Sequence, residues 1–164
     1  MKVVIIGNGD MLANLIEGTL LSGNEVVGVM RYERMKFPPF VLGFYDFFKS
    51  SSVFTLIKEK KLHEIKLRSA NSEAFKKELL RLNVDVLLVG SWSEKLKKEV
   101  FDIPTIASVN VHPSFLPKYR GPNPYLQTIL HGEKKSGITF HLIDEKFDNG
   151  GILEQKEIEI FPND

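Results

Sequence analysis

Lys2-Val3-Val4-Ile5-Ile6-Gly7-Asn8-Gly9-Asp10-Met11-Leu12-Ala13-Asn14-Leu15-Ile16 decides the fold. Val3 to Ile6 is an unbroken apolar run, too short for a helix and all β-branched, which reads as a buried strand. Asp10 then opens a helix through about Leu21, with Leu12, Leu15, Ile16 and Leu20 at helical spacing. Gly23-Asn24 breaks it, and Glu25 to Met30 reads as a second strand. A strand, a helix and a strand in this order form a βαβ unit, whose crossover makes the two strands parallel.

The alternation continues outward from that unit. The pattern predicts a helix over Asn71 to Leu82, a strand over Val84 to Val89, a short Lys-rich helix near Glu94 to Val100 and a strand over Ile106 to Val111. From Ser136 it changes to two adjacent strands, Ser136 to Ile143 and Ile152 to Ile160, joined by Asp144 to Gly151. The expected fold is α/β: a doubly wound, mostly parallel Rossmann-like sheet with an antiparallel edge.

Two stretches fall outside the alternation. Residues 37–54 gather Phe37, Phe40, Phe44, Tyr45, Phe47, Phe48 and Phe54 around Pro38-Pro39, a composition that suits core or dimer contact, a lid or an acceptor pocket. Pro113 to Pro124 holds four prolines directly after a strand. A stiff loop at a strand's carboxyl end is where open α/β sheets place their sites.

Composition narrows the chemistry. The 164 residues, 43% hydrophobic and 26% charged, suffice for one sizeable core. No apolar run reaches membrane-spanning length, and Met1 leads straight into a strand, so a soluble cytoplasmic protein is expected. The absence of cysteine removes disulfides, thiolate nucleophiles and cysteine-based zinc sites, leaving His, carboxylates, amides and hydroxyls. With 22 basic and 21 acidic residues no global field draws nucleic acid, although a local basic patch remains open. Ile158 to Asp164 stops as a strand finishes, which suggests a chain cut short.

Asn110-Val111-His112-Pro113-Ser114 closes one strand, and in a strand residues 110 and 112 share a face. An amide donor and an imidazole would therefore project side by side, with the Asp144 to Gly151 loop able to bring a carboxylate to the same rim. Amide, imidazole and carboxylate together suit acyl transfer: a donor for an oxyanion, an acid or base, and a group that sets the imidazole's protonation. Spacing alone leaves a structural histidine and ordinary turn acids at Asp144, Glu145 and Asp148 as alternatives. His131 and His141 read as helix-end and strand-face residues, and no His/Asp spacing makes a metal site.

Three ordered motifs add to this reading: Asn110-Val-His-Pro-Ser-Phe-Leu-Pro-Lys-Tyr-Arg-Gly121, Ser136-Gly-Ile-Thr-Phe-His141, and Asp144-Glu-Lys-Phe-Asp-Asn-Gly-Gly-Ile-Leu153. In them the chain resembles the formyltransferases that use 10-formyltetrahydrofolate. The resemblance covers nearly all of 1–164 and implies one catalytic domain. By position it implies Asn110, His112 and Asp148 as the catalytic set. It places the folate at Gly90, Ser91, Trp92, Ser93 and Leu96 and at Ile143, Asp144 and Phe147, with Ser114, Arg120, Gly121 and Thr139 near the acceptor. The implied co-substrate is 10-formyltetrahydrofolate, without a metal, and the implied acceptor is a primary amine on methionyl-tRNA or a nucleotide-linked amino sugar. A homodimer is possible, and a membrane partner is not implied. Arg120-Gly-Pro-Asn-Pro124 resembles the tRNA and sugar branches more than the glycinamide ribonucleotide branch. Asp10, placed where that last branch holds a phosphate, weighs against it. A 10-formyltetrahydrofolate hydrolase and a non-catalytic folate-binding module remain as alternatives. Gly7-Asn-Gly9 is a poor dinucleotide fingerprint, because Leu12 stands where its third glycine belongs.

Overall fold

A computed structural model describes residues 1–32 and 52–161. The elements follow in the order β1 (Lys2–Gly7), α1 (Gly9–Leu21), β2 (Glu25–Arg31), α2 (Ser52–Glu59), α3 (Glu73–Leu82), β3 (Val86–Gly90), α4 (Lys98–Phe101), β4 (Ala107–His112), α5 (Pro124–Leu130), β5 (Lys135–Leu142) and β6 (Ile152–Glu159). The strands hydrogen-bond in the order β2-β1-β3-β4-β5-β6. This is the α/β sheet expected from the opening βαβ unit. The chain divides into two compact units, Met1–Ser108 and Val109–Asp164.

The first unit is parallel. β1 pairs with β2 on one side and with β3 on the other, both in parallel register. Val4, Ile5 and Ile6 are fully buried, each such side chain stabilising the fold by about 1.5–3 kcal/mol as an upper estimate. From α1 they meet Leu12, Ala13, Leu15 and Ile16, the buried face that the helical spacing sets. Gly7 owes its lack of a side chain to this sheet: a Cβ there would lie 2.4 Å from the carbonyl oxygen of Gly90, its partner on β3. The first glycine of the opening loop is thus required by strand packing.

Local chemistry moves several boundaries. Ser72 caps α3, its hydroxyl accepting from the Phe75 N–H at 3.2 Å, so the helix begins two residues later than its apolar spacing suggests. Asn83 ends it in the left-handed conformation. The Lys-rich helix shrinks to four residues. Glu94, expected at its start, instead accepts from the Ser69 hydroxyl, the Ala70 N–H and the Asn71 amide at 2.5, 2.8 and 3.0 Å. Those bonds tie 91–97 down as a loop. The aromatic stretch 37–54 lies outside the described residues except for its last three positions, which begin α2.

The second unit is antiparallel, β4 with β5 and β5 with β6, which is the expected departure at the sheet's edge. Among the described residues no helix is long and apolar enough to cross a membrane.

Candidate active site

The second unit contains Asn110, His112 and Asp148 together. Asn110 and His112 sit two apart on β4, and the register sets them opposite His141 and Thr139 of β5. Side chains directly opposite across an antiparallel pair share a face, so these four form one patch. Asp148 reaches it from the loop after β5, held at φ 48° in the left-handed region that a non-glycine residue enters only at a cost of about 1–3 kcal/mol. The loop's shape is enforced by Gly150, where a Cβ would fall 1.9 Å from the Leu142 carbonyl oxygen.

Asp148 organises the group. Its Oδ1 accepts from Asn110 Nδ2 at 3.1 Å, and its Oδ2 accepts from the Gly121 N–H at 2.8 Å. The same Oδ1 lies 3.5 Å from Nδ1 of His112 and 3.5 Å from Nε2 of His141. Burial pushes the Asp148 carboxyl up, but hydrogen bonding, that from the Gly121 N–H included, and the nearby His112 outweigh it and hold the group below the ordinary aspartate value. The carboxylate is therefore kept ionised at neutral pH.

His112 is 5% exposed, and its Nε2 lies 2.8 Å from the carbonyl oxygen of Tyr119. A carbonyl can only accept, so Nε2 carries a proton and Nδ1 is the nitrogen presented to Asp148. Tyr119 reaches this position at φ 56°, anchored by its hydroxyl to Glu133 at 2.8 Å. The proline-rich loop is clamped from within. Thr139 donates to the Ser114 carbonyl at 2.7 Å and accepts from the Leu116 N–H at 3.2 Å, while Ser114 donates to the Lys118 carbonyl at 2.8 Å.

The other expected positions divide by unit. In the second, Ser114 and Thr139 are fully buried with hydroxyls committed to backbone, Gly121 holds Asp148, and Arg120 is exposed. Asp144 is a turn acid. It accepts from the Asn149 amide and the Lys146 N–H at 3.0 and 2.7 Å, bonds that lower its pKa. Ile143 is half-buried and Phe147 exposed. In the first unit Gly90 ends β3, Leu96 is buried, and Ser91 turns the chain at φ 54°. Ser93 hydrogen-bonds the Tyr32 hydroxyl, and the Trp92 ring meets the Tyr32 ring edge-on at 5.4 Å. The Trp92 indole N–H is buried without a partner among the described residues.

His141 is the residue that sequence reasoning missed. It is 2% exposed, with Nε2 3.0 Å from Asn110 Nδ2 and Nδ1 2.8 Å from the Leu142 carbonyl oxygen. Period-2 alternation puts it on one face with Thr139, but only the register brings that face beside Asn110. Among the described residues no group of three or more His, Cys, Asp or Glu is disposed to hold a metal ion.

Known proteins resemble the chain over the same residues. A methionyl-tRNA formyltransferase of Thermotoga neapolitana is 32% identical over 162 residues, covering 99% of the chain and 50% of the relative. Another, from a Roseiflexus species, is 44% identical over 86 residues, covering 52% of the chain and 26% of the relative. The chain thus spans about half the length of the first. Among solved structures, a phosphoribosylglycinamide formyltransferase of Bacillus halodurans superposes with a TM-score of 0.77 at 20% identity, over 100% of the chain and 82% of that structure. A formyltetrahydrofolate deformylase of Pseudomonas syringae gives 0.75 at 20% identity, over 99% of the chain and 52% of that structure. At such identities these superpositions establish the shared fold alone. The family model described as formyl transferase matches residues 1–164. With that match over the whole of its sequence, the chain belongs to the formyl transferase family.

Proposed function

We propose that residues 1–164 form a catalytic domain that transfers a formyl group from 10-formyltetrahydrofolate to a primary amine, with the amine of methionyl-tRNA as the first acceptor to test. The observation that carries this reading is the Asn110, His112 and Asp148 cluster, in which one carboxylate oxygen is shared by an amide donor and an imidazole. The similarity to methionyl-tRNA formyltransferases supports the acceptor, and the family match supports the donor. A nucleotide-linked amino sugar is the second acceptor.

In this reading the donor supplies an activated formyl carbon, which the neutral amine attacks directly. Asn110 turns one of its two N–H bonds to the oxygen that gains negative charge, and His112, protonated at Nδ1 as well as Nε2, stabilises that oxygen and gives a proton to the departing folate nitrogen. Asp148 receives, through water, the proton that the amine loses and passes it to His112, which restores both groups. The sum is balanced: one C–N bond forms, one breaks, and one proton passes from the amine to the folate nitrogen. Gly121 and Tyr119 hold Asp148 and His112 in place through backbone groups. We assign donor contacts in the first unit to Gly90, Ser91, Trp92, Ser93 and Leu96, where the Trp92 N–H, without a partner among the described residues, would find an acceptor. In the second unit we assign them to Ile143, Asp144 and Phe147. Ser114 and Thr139, with their hydroxyls turned to the backbone, shape the acceptor loop, and Arg120, exposed at the surface, meets an anionic acceptor.

The test is a thermal-shift and turnover panel of methionyl-tRNA, nucleotide-linked amino sugars and glycinamide ribonucleotide, each with a folate analogue or 10-formyltetrahydrofolate. Formylated methionyl-tRNA is the expected product. Transfer only to another member would overturn the acceptor, and formate release without any acceptor would replace transfer by hydrolysis.

A further inference from the structure

We infer that His141 is a positioning residue that fixes which edge of the Asn110 amide faces the reaction. The inference rests on the reading of Asn110 as the oxyanion donor but concerns a different residue. Three contacts decide it. Nδ1 of His141 lies 2.8 Å from the Leu142 carbonyl oxygen, which can only accept, so Nδ1 carries the proton. Nε2 of the neutral ring is then an acceptor, and Asn110 Nδ2, 3.0 Å away, donates to it. The same Nδ2 donates its second proton to Asp148 Oδ1 at 3.1 Å.

Rotating the amide by half a turn would set Asn110 Oδ1 against both the Nε2 lone pair and the Asp148 carboxylate. Two acceptors would then face each other twice over, in a patch where His141 is 2% exposed and water offers little relief. His141 and Asp148 thus act as a pair that admits one amide orientation, and neither alone does so as firmly. Donation of either N–H to a developing oxyanion leaves the other still held, so Asn110 can engage the transition state without losing its aim. The ring cannot drift, because the β4–β5 register sets Asn110 opposite His141 and the Leu142 carbonyl fixes the ring's tautomer.

The first readout needs no substrate. Long-range proton–nitrogen NMR correlations at pH 7.5 on the full chain should show His141 as the Nδ1–H tautomer, and an Nε2–H tautomer would overturn the inference. The second uses His141→Leu and His141→Gln, with 10-formyltetrahydrofolate and methionyl-tRNA as probes. A misplacement of about 1 Å at a catalytic group can cost about 10²-fold in rate. His141→Leu should lower kcat by up to about that factor while KM for both probes stays near the parent value. Gln, which restores an acceptor, should recover most of the loss. A merely structural histidine would lower the unfolding temperature of both variants and leave kcat per folded molecule alone. Parent-like kcat in His141→Leu beside an inactive His112→Ala would sink this inference and spare the proposed function. Full activity in both variants would sink the proposed function as well.

Discussion

Asn110 donates to Asp148 across 3.1 Å, joining a residue on β4 to one thirty-eight positions later in a loop beyond β5. The bond uses an ionised acceptor, which makes it among the stronger kinds of protein hydrogen bond. It also couples two tasks, because the carboxylate that orients the amide is the one facing His112. Asp148→Asn keeps the shape and removes the charge. In the proposed mechanism it is expected to lower kcat by about 10²–10⁴ with little change in folate binding. Steady-state kinetics beside a fluorescence titration with a folate analogue would check this, and parent-like kcat would remove Asp148 from the mechanism.

The loop that presents Asp148 is fixed by glycine chemistry at one position and not at the next. A Cβ on Gly150 would stand 1.9 Å from a backbone oxygen, whereas one on Gly151 would meet only the end of the Leu142 side chain at 3.9 Å. Gly150→Ala must therefore displace backbone, at a cost of about 1–3 kcal/mol or more, and should depress activity by moving Asp148. Gly151→Ala should stay near parent in both respects. Urea unfolding and turnover of the two variants, compared side by side, test the difference.

Thr139 bonds the Ser114 carbonyl, the Leu116 N–H and the Gln155 amide through one buried hydroxyl. Thr139→Val keeps the volume and strands those groups, which should destabilise the protein by about 1–3 kcal/mol. Equal stability of variant and parent in a denaturant melt would show that the clamp is dispensable.

Glu78 gives a pH test away from the site. Hydrogen bonds from Arg81, and less so from His63, outweigh its partial burial and hold its carboxyl down to about 2. A depressed carboxylate contributes stability that is complete above its unfolded value, about 4.3, and is lost as pH falls toward the folded one. The stability gap between parent and Glu78→Gln should thus be constant near neutral pH and narrow between about pH 4.3 and about 2. A gap that widened with acid would contradict this sign.

The opening βαβ unit was legible because Val3 to Ile6 and the Leu12, Leu15, Ile16 face obey simple periods. The strand expected over Ile106 to Val111 lies at Ala107–His112, one residue later, and Asn110 and His112 stand two apart on it. Choosing Asp148 over Asp144 came from family resemblance, and the structure puts the first against His112 and the second in a turn. What stayed hidden depends on long-range pairing. Glu94 gives up a helix for contacts some twenty-four residues back, and His141 meets Asn110 only through the β4–β5 register. Local sequence carries neither partner.

The most direct measurement is formyl transfer by His112→Ala, assayed with 10-formyltetrahydrofolate and methionyl-tRNA alongside folate-analogue binding. Removal of the imidazole is expected to lower turnover by on the order of 10²–10⁴ while binding persists. Turnover equal to that of the parent chain would contradict the assignment of the site.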